Sequence, residues 1–442
     1  MTLRRRWPEW LALAVYVALG VVMLIHHEAW RDEADSWLIA RNAPLTHIPL
    51  ILGRAGTPML WHALLLPFAR LGFPYITMFA LNLAVSTAAA AVLLFRSHFH
   101  LALRLLLVFS YFLGYEYLAV ARSYALMILL LFAMAAAWGR PLLFAIFLAL
   151  FVNTTVHALL IGVGIALVRA RELRGRWGAL LIIAAGVVVA ALPIALAGGQ
   201  ATVFNIVRWK GPLQAMAGGF MPLIAVRRMF LFGFAAFISA TVALRHKREA
   251  LLILWLSWAA LFFIYTFVYL GDLRHFGLLL MTLVFALWVG RPAPQTALAV
   301  ILYGTLIVSA ISAARTWRLE VRESFSGSKE TAAYIAGHGL ADRVIAAHPP
   351  PMAESVLAYL PRTTRFFYPA LGRFGSYMEW DPVLPAATAV PNDVAVARAP
   401  GDLVLVNGPL RQPGLRLLYT NRAPVFMKKD ETFWLYAPAA AP

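Results

Sequence analysis

The chain has no cysteine and few acids, 20 Asp and Glu in 442 residues. Without thiols it holds no disulfide, no thiolate metal site and no cysteine nucleophile, and the redox compartment stays open. Charged residues make up 13% of the sequence, about half the share of an ordinary soluble domain. Glycine-rich phosphate loops of the Walker or Rossmann kind are missing. So is any nucleophile elbow around Ser36, Ser123 or Ser257. Soluble nucleotide chemistry and serine hydrolysis therefore have no support.

What is present is apolar: 62% of residues are hydrophobic and the mean hydropathy is +0.75. This composition predicts a polytopic α-helical membrane protein. The segments 10–25, 75–95, 101–119, 179–197, 229–244, 250–270, 275–289 and 296–314 are apolar and long enough for a bilayer core of about 30 Å. The basic start 2–6 precedes a run with no small-residue cleavage site, so that run reads as a retained span. A net charge of +18 would point to nucleic acid in a soluble chain. Here the bases lie between apolar runs, which is a topology signal, and no nucleic acid partner is expected.

Arg4 to Arg6, Arg96, Arg104, Arg140, Arg169 to Arg176, Arg245 to Arg248 and Arg291 mark the cytoplasmic side. Keeping Arg140 and Arg169 together requires a hairpin turning at Asn153-Thr154-Thr155. Keeping Arg96 and Arg104 inside makes 58–72, with Pro58 and Pro67, a re-entrant or interfacial helix. The count is then about eleven spans with the amino terminus inside. Residues 1–314 form the transmembrane domain, with 26–74 as its first external loop. Residues 315–442 read as an external α/β domain, with strands at 343–347, 402–407 and 432–436, a helix at 328–337 and a disordered tail at 437–442.

Acids concentrate just after the first span, at Glu28, Asp32, Glu33 and Asp35. On a helix Glu28, Asp32 and Asp35 share one face while Glu33 turns about 100° away. Clustered carboxylates raise one another's pKa, as a general base requires. The competing reading is a solvated helix whose acids pair with Arg31 and Arg41. Arg122 and Tyr124 open one span and Arg274 and His275 another, where an arginine fork suits a phosphate. Arg208 and Lys210, with Arg227 and Arg228, make an outer loop basic, which fits lipid phosphate or head groups. His62 and His157 are single polar residues beside apolar runs. Glu28, Asp32 and His26 or His27 are unspecifically spaced for a divalent metal, and none is assigned.

The stretch Trp30-Arg-Asp-Glu-Ala-Asp-Ser-Trp-Leu-Ile-Ala-Arg41 followed by Thr57-Pro-Met-Leu-Trp-His-Ala-Leu-Leu-Leu-Pro67 resembles the GT-C membrane glycosyltransferases. Within that superfamily the stretch is similar to the protein O-mannosyltransferases and the lipid A aminoarabinose transferases. Ala121-Arg-Ser-Tyr124 and Leu273-Arg-His-Phe276 add to the likeness. The resemblance implies a module of seven spans and inverting transfer of a sugar from a polyprenyl-phosphate donor to a hydroxyl of a glycan, lipid or protein. That reaction would take place on the periplasmic side of a bacterial inner membrane, with no soluble cofactor. It implies Asp32 as the base, Glu33 in support of acceptor or donor, Arg274 at the donor phosphate, and Arg122 and Tyr124 in the same cavity. One departure is that Gly56-Thr57-Pro58 lacks the histidine many relatives carry before this proline, with His62 a turn later. A transporter or flippase for a lipid-linked or anionic solute is the alternative.

Overall fold

The computed structural model describes residues 6–197, 207–224, 228–397 and 402–439. Arg4, Arg5, Arg227 and the tail residues 440–442 lie outside them. In chain order the helices are α1 (Trp7–His26), α2 (Arg31–Asn42), α3 (Ile48–Arg54), α4 (Leu60–Arg70), α5 (Ile76–Arg96), α6 (Leu101–Val108) and the one-turn α7 (Tyr117–Ala119). There follow α8 (Ser123–Ala136), α9 (Pro141–Val152), α10 (Val156–Arg169), α11 (Trp177–Leu196) and α12 (Gly211–Phe220). Then come α13 (Phe230–Leu244), α14 (Arg248–Phe263), α15 (Leu273–Gly290) and α16 (Thr296–Arg322). Two π-helical segments, Phe112–Glu116 and Ile264–Val268, lead into α7 and extend α14. The remainder is α17 (Ser328–Gly337), β1 (Ile345–His348), α18 (Pro350–Leu357), β2 (Phe366–Tyr368), β3 (Arg373–Gly375), α19 (Leu384–Thr388), α20 (Asn392–Val396), β4 (Leu403–Val406), β5 (Leu415–Thr420) and β6 (Trp434–Pro438).

Among the described residues six helices are long and apolar enough to cross a membrane, α1, α5, α11, α14 with its π-helical end, α15 and α16. A seventh results if α6 and Phe112–Ala119, bent by 48° at their junction, count as one. This falls short of the eleven expected. The apolar runs behind α8, α9, α10 and α13 yield helices of only 10–17 residues, or up to about 26 Å, less than a 30 Å core. Outward faces explain the high hydropathy: Leu181 on α11 is 67% exposed and Leu196 is 76% exposed, a surface that suits lipid better than water. By contrast α15 is 83% buried over its apolar window.

The chain divides into two compact units. The first comprises Met1–Val22, Ala55–Leu60 and Leu81–Trp317; the second comprises Met23–Arg54, Trp61–Ala80 and Arg318–Pro442. In the first unit α9 and α10 form the hairpin expected at 153–155. The Thr155 hydroxyl accepts from the Ala158 N–H at 3.0 Å, and Asn153 donates to the Gly186 carbonyl at 2.8 Å. A capped start just after a satisfied end forces the chain to turn.

The second unit carries a six-stranded sheet in the order β3-β2-β1-β4-β6-β5. β1 is parallel to both neighbours, with Ile345 opposite Phe366 on one side and Leu403 on the other. The outer pairs β2–β3, β4–β6 and β5–β6 are antiparallel. β1 and β4 are buried along their whole length, as continuous apolar runs in a parallel core require. Most of the 26–74 segment groups with this sheet, and α18 packs against α2.

Candidate functional site

The acids around α2 lie in the second unit, and the structure separates them by burial. Glu33 and Asp35 are buried, whereas Asp32 and Glu28 are half-buried. The Glu33 carboxylate accepts from the Trp30 N–H at 3.2 Å, capping the first turn of α2. It also meets His27 Nε2 at 3.0 Å, while His27 Nδ1 meets Glu320 at 2.8 Å. All three side chains are fully buried. Burial pushes the imidazolium down, but Glu33 and Glu320 outweigh it and hold the His27 pKa up at about 10. His27 is therefore a cation bridging two carboxylates.

Other contacts fix the same helix. The Trp380 indole donates to Asp35 at 3.1 Å. Burial, helped by the nearby Asp35 charge, raises Glu354 of α18 well above the carboxylate range. Arg31 pairs with Asp430, and its N–H donates to Glu431 at 3.1 Å. The Trp30 ring carries Lys428 at 3.6 Å from its centroid. Burial lifts Glu431 to about 8 against its contacts with Ser326 and Arg31, and lifts Glu28 to about 7. Asp32 is thus the solvent-accessible acid of a helix whose other two carboxylates are buried in fixed contacts. The Asp32 carbonyl accepts from Ser36 at 3.3 Å within the helix.

A second group of expected residues gathers in the first unit. Arg122 is the residue before α8, and Tyr124 lies in that helix's first turn. Arg274 and His275 open α15 behind Asp272, whose carboxylate caps the Leu273 N–H at 2.7 Å and meets Arg274 at 3.2 Å. Gly271, at φ +79°, supplies the turn into this cap. The His275 ring lies 5.0 Å from His157, 5.4 Å from Tyr124 and 5.2 Å from Tyr269, centroid to centroid. Arg274 and Arg122 are both close enough to act on His275 electrostatically. Tyr117 donates to the Arg274 carbonyl at 2.8 Å, Tyr265 donates to the His275 carbonyl at 2.6 Å, and Tyr269 meets His157 Nε2 at 3.3 Å. Both π-helical segments border this group, through Tyr117 on one side and Tyr265 and Tyr269 on the other. Such segments recur at functional sites.

The structure thus brings together Arg122, Tyr124, His157, Arg274 and His275. Arg208 is held beside them by its N–H on the Thr266 carbonyl at 2.8 Å and its guanidinium on Val268 at 3.5 Å. Lys210 is exposed just before α12. His62 is buried on α4 in the second unit, 2% exposed. The sequence offers His27 only as a metal ligand and gives no role to Glu320, Glu354, Glu431 or the tyrosines Tyr117, Tyr265 and Tyr269. His27 had a signal, since it directly precedes the acids at the end of the first span. Glu320 and Glu354 had none, because pairing over some 300 residues leaves no local pattern.

Among the described residues no group of three or more His, Asp or Glu side chains is arranged to hold a metal ion. No protein-family model matches the chain, and no significant similarity to a curated protein or a solved structure is found.

Proposed function

We propose that the protein is a membrane glycosyltransferase that moves a sugar from a polyprenyl-phosphate donor to an acceptor hydroxyl, with Asp32 as general base. The observation that carries this reading is the selective accessibility of Asp32 at the start of an otherwise buried helix. Glu33 is spent on capping and on His27, and Asp35 on Trp380, so neither competes for the acceptor proton. The reaction breaks the anomeric carbon–oxygen bond to phosphate and forms one to the acceptor oxygen, whose proton passes to Asp32. Attack opposite the departing phosphate inverts the anomeric centre.

A leaving phosphate needs cations, and a base needs a carboxylate at the attacking oxygen. For the donor phosphate this reading assigns the cluster of the first unit, with Arg274 and Arg122 as cations, the Tyr117, Tyr124 and Tyr269 rings as an apolar lining and Arg208 as a further cation. Glu33 acts as a positioning residue through the α2 cap. Counting the bent pair and the four shorter helices as spans gives the eleven-span topology. That topology places α2 and the sheet on the periplasmic side of a bacterial inner membrane. The test is purified protein in liposomes with a labelled polyprenyl-phosphate sugar and a mixed envelope glycan fraction. Label is expected to leave the lipid for the glycan with wild type. Movement of intact labelled lipid between leaflets without transfer would favour a flippase instead.

A further inference from the structure

The far end of α2 carries a cavity that no step above uses. It lies wholly within the second unit, has a volume of about 290 Å³, and is lined by Asn42, Arg365, Tyr368, Arg373, Tyr377 and Glu379. This is near the small end of ligand-site volumes, room for one small molecule. Arg373 is paired with Glu379 at 3.2 Å and Asp381 at 2.5 Å, so its charge is already used by two carboxylates. Arg365 makes no hydrogen bond or ion pair among the described residues and stands exposed. Around Asn42 the charge is positive: Arg362 donates to the Arg41 carbonyl at 3.1 Å and Arg70 to the Ala43 carbonyl. Tyr368 is 1% exposed, and its buried hydroxyl has no partner.

The remaining lining is mixed in a way that suits a sugar ring. Tyr377 and the 53% exposed Phe374 offer aromatic faces to ring C–H groups. The Asn42 amide and the Glu379 carboxylate offer planar hydrogen-bonding groups for hydroxyls. Ten residues of helix separate Asp32 from Asn42, about 15 Å along the axis, so a ligand that reaches both is an oligomer.

We propose that this cavity binds a sugar ring carrying one anionic group, with Arg365 as its counter-ion, as the distal unit of an oligosaccharide acceptor. The use as an acceptor subsite rests on the glycosyltransfer reading; the binding itself does not. The test is calorimetric titration of the full-length protein in detergent with glucuronic acid, glucose and inorganic phosphate. Glucuronic acid is expected to saturate one site with a Kd at least tenfold below that of glucose. Arg365→Met and Phe374→Ala, checked for unchanged Tm, are each expected to raise that Kd, the first at least tenfold. Asp32→Asn is expected to leave it unchanged.

Equal affinity for glucose, phosphate binding as tight as glucuronic acid, no saturable binding, or no effect of Arg365→Met would each overturn the proposal. Binding intact in a protein without transferase activity would refute only the acceptor role. Transfer intact without glucuronate binding would refute only the cavity's ligand.

Discussion

Replacing His27 with alanine removes the cation between Glu33 and Glu320 and leaves two carboxylates facing each other in a dry interior. With contacts of 3.0 and 2.8 Å on opposite ring nitrogens, the two oxygens lie about 8 Å apart, a repulsion of about 2 kcal/mol at an effective dielectric of 20. Loss of one partner from a buried ionic group costs about 3–5 kcal/mol in total. In a unit of this size that amounts to a Tm lowered by roughly 6 °C or more. The assay is thermal unfolding of the purified protein in detergent at pH 7. The double variants His27→Ala/Glu33→Gln and His27→Ala/Glu320→Gln are expected to recover part of the loss, since each removes one of the opposed charges. His27 pKa is raised from 6.5 to about 10. Its contribution is therefore complete below pH 6.5 and is lost as pH rises through about 10. An alanine variant as stable as wild type, with no recovery in the doubles, would refute the bridge.

Burial raises Glu431 to about 8 and Glu28 to about 7. Their protonated forms belong to the folded state, so their contribution is full below pH 4.5 and is lost as pH climbs through 7–8. Glu431→Gln is expected to flatten the fall in Tm between pH 6 and 9; an unchanged slope would contradict the shift. Glu354, raised by burial and by Asp35, is a neutral acid in the fold, so Glu354→Gln is expected to keep Tm within about 2 °C, whereas Glu354→Lys lowers it severely. A charged hydrogen bond contributes about 1.5–3 kcal/mol. Arg274→Met is therefore expected to raise the KM for the lipid donor about tenfold or more with Tm unchanged, and an unaltered KM would remove Arg274 from the donor site.

Periodicity and turn chemistry make much of the architecture readable in the sequence. The helix expected at 328–337 is α17, and the strands expected at 343–347, 402–407 and 432–436 are β1, β4 and β6 within two residues. β2, β3 and β5 leave little trace in the sequence because two are only three residues long and the third, Leu415–Thr420, alternates poorly and buries only Tyr419. Of the eleven spans expected, six are helices of full length among the described residues, because an apolar run fixes burial or lipid contact but not helix length. The turn at 136–141 shortens α8 and α9, and the break at 153–155 shortens α9 and α10. At the site, clustering of acids marked α2, yet the roles of its acids depended on His27, Glu320, Trp380 and Glu431. Three of these lie more than 280 residues away, beyond any spacing rule.

The central claim is that Asp32 takes the acceptor proton. It is tested most directly by single-turnover transfer from a labelled polyprenyl-phosphate sugar, with wild type and Asp32→Asn matched for fold and donor affinity. Loss of a general base predicts a rate lowered by about 10²–10⁴-fold with donor binding intact. A variant that transfers within twofold of wild type would contradict the account.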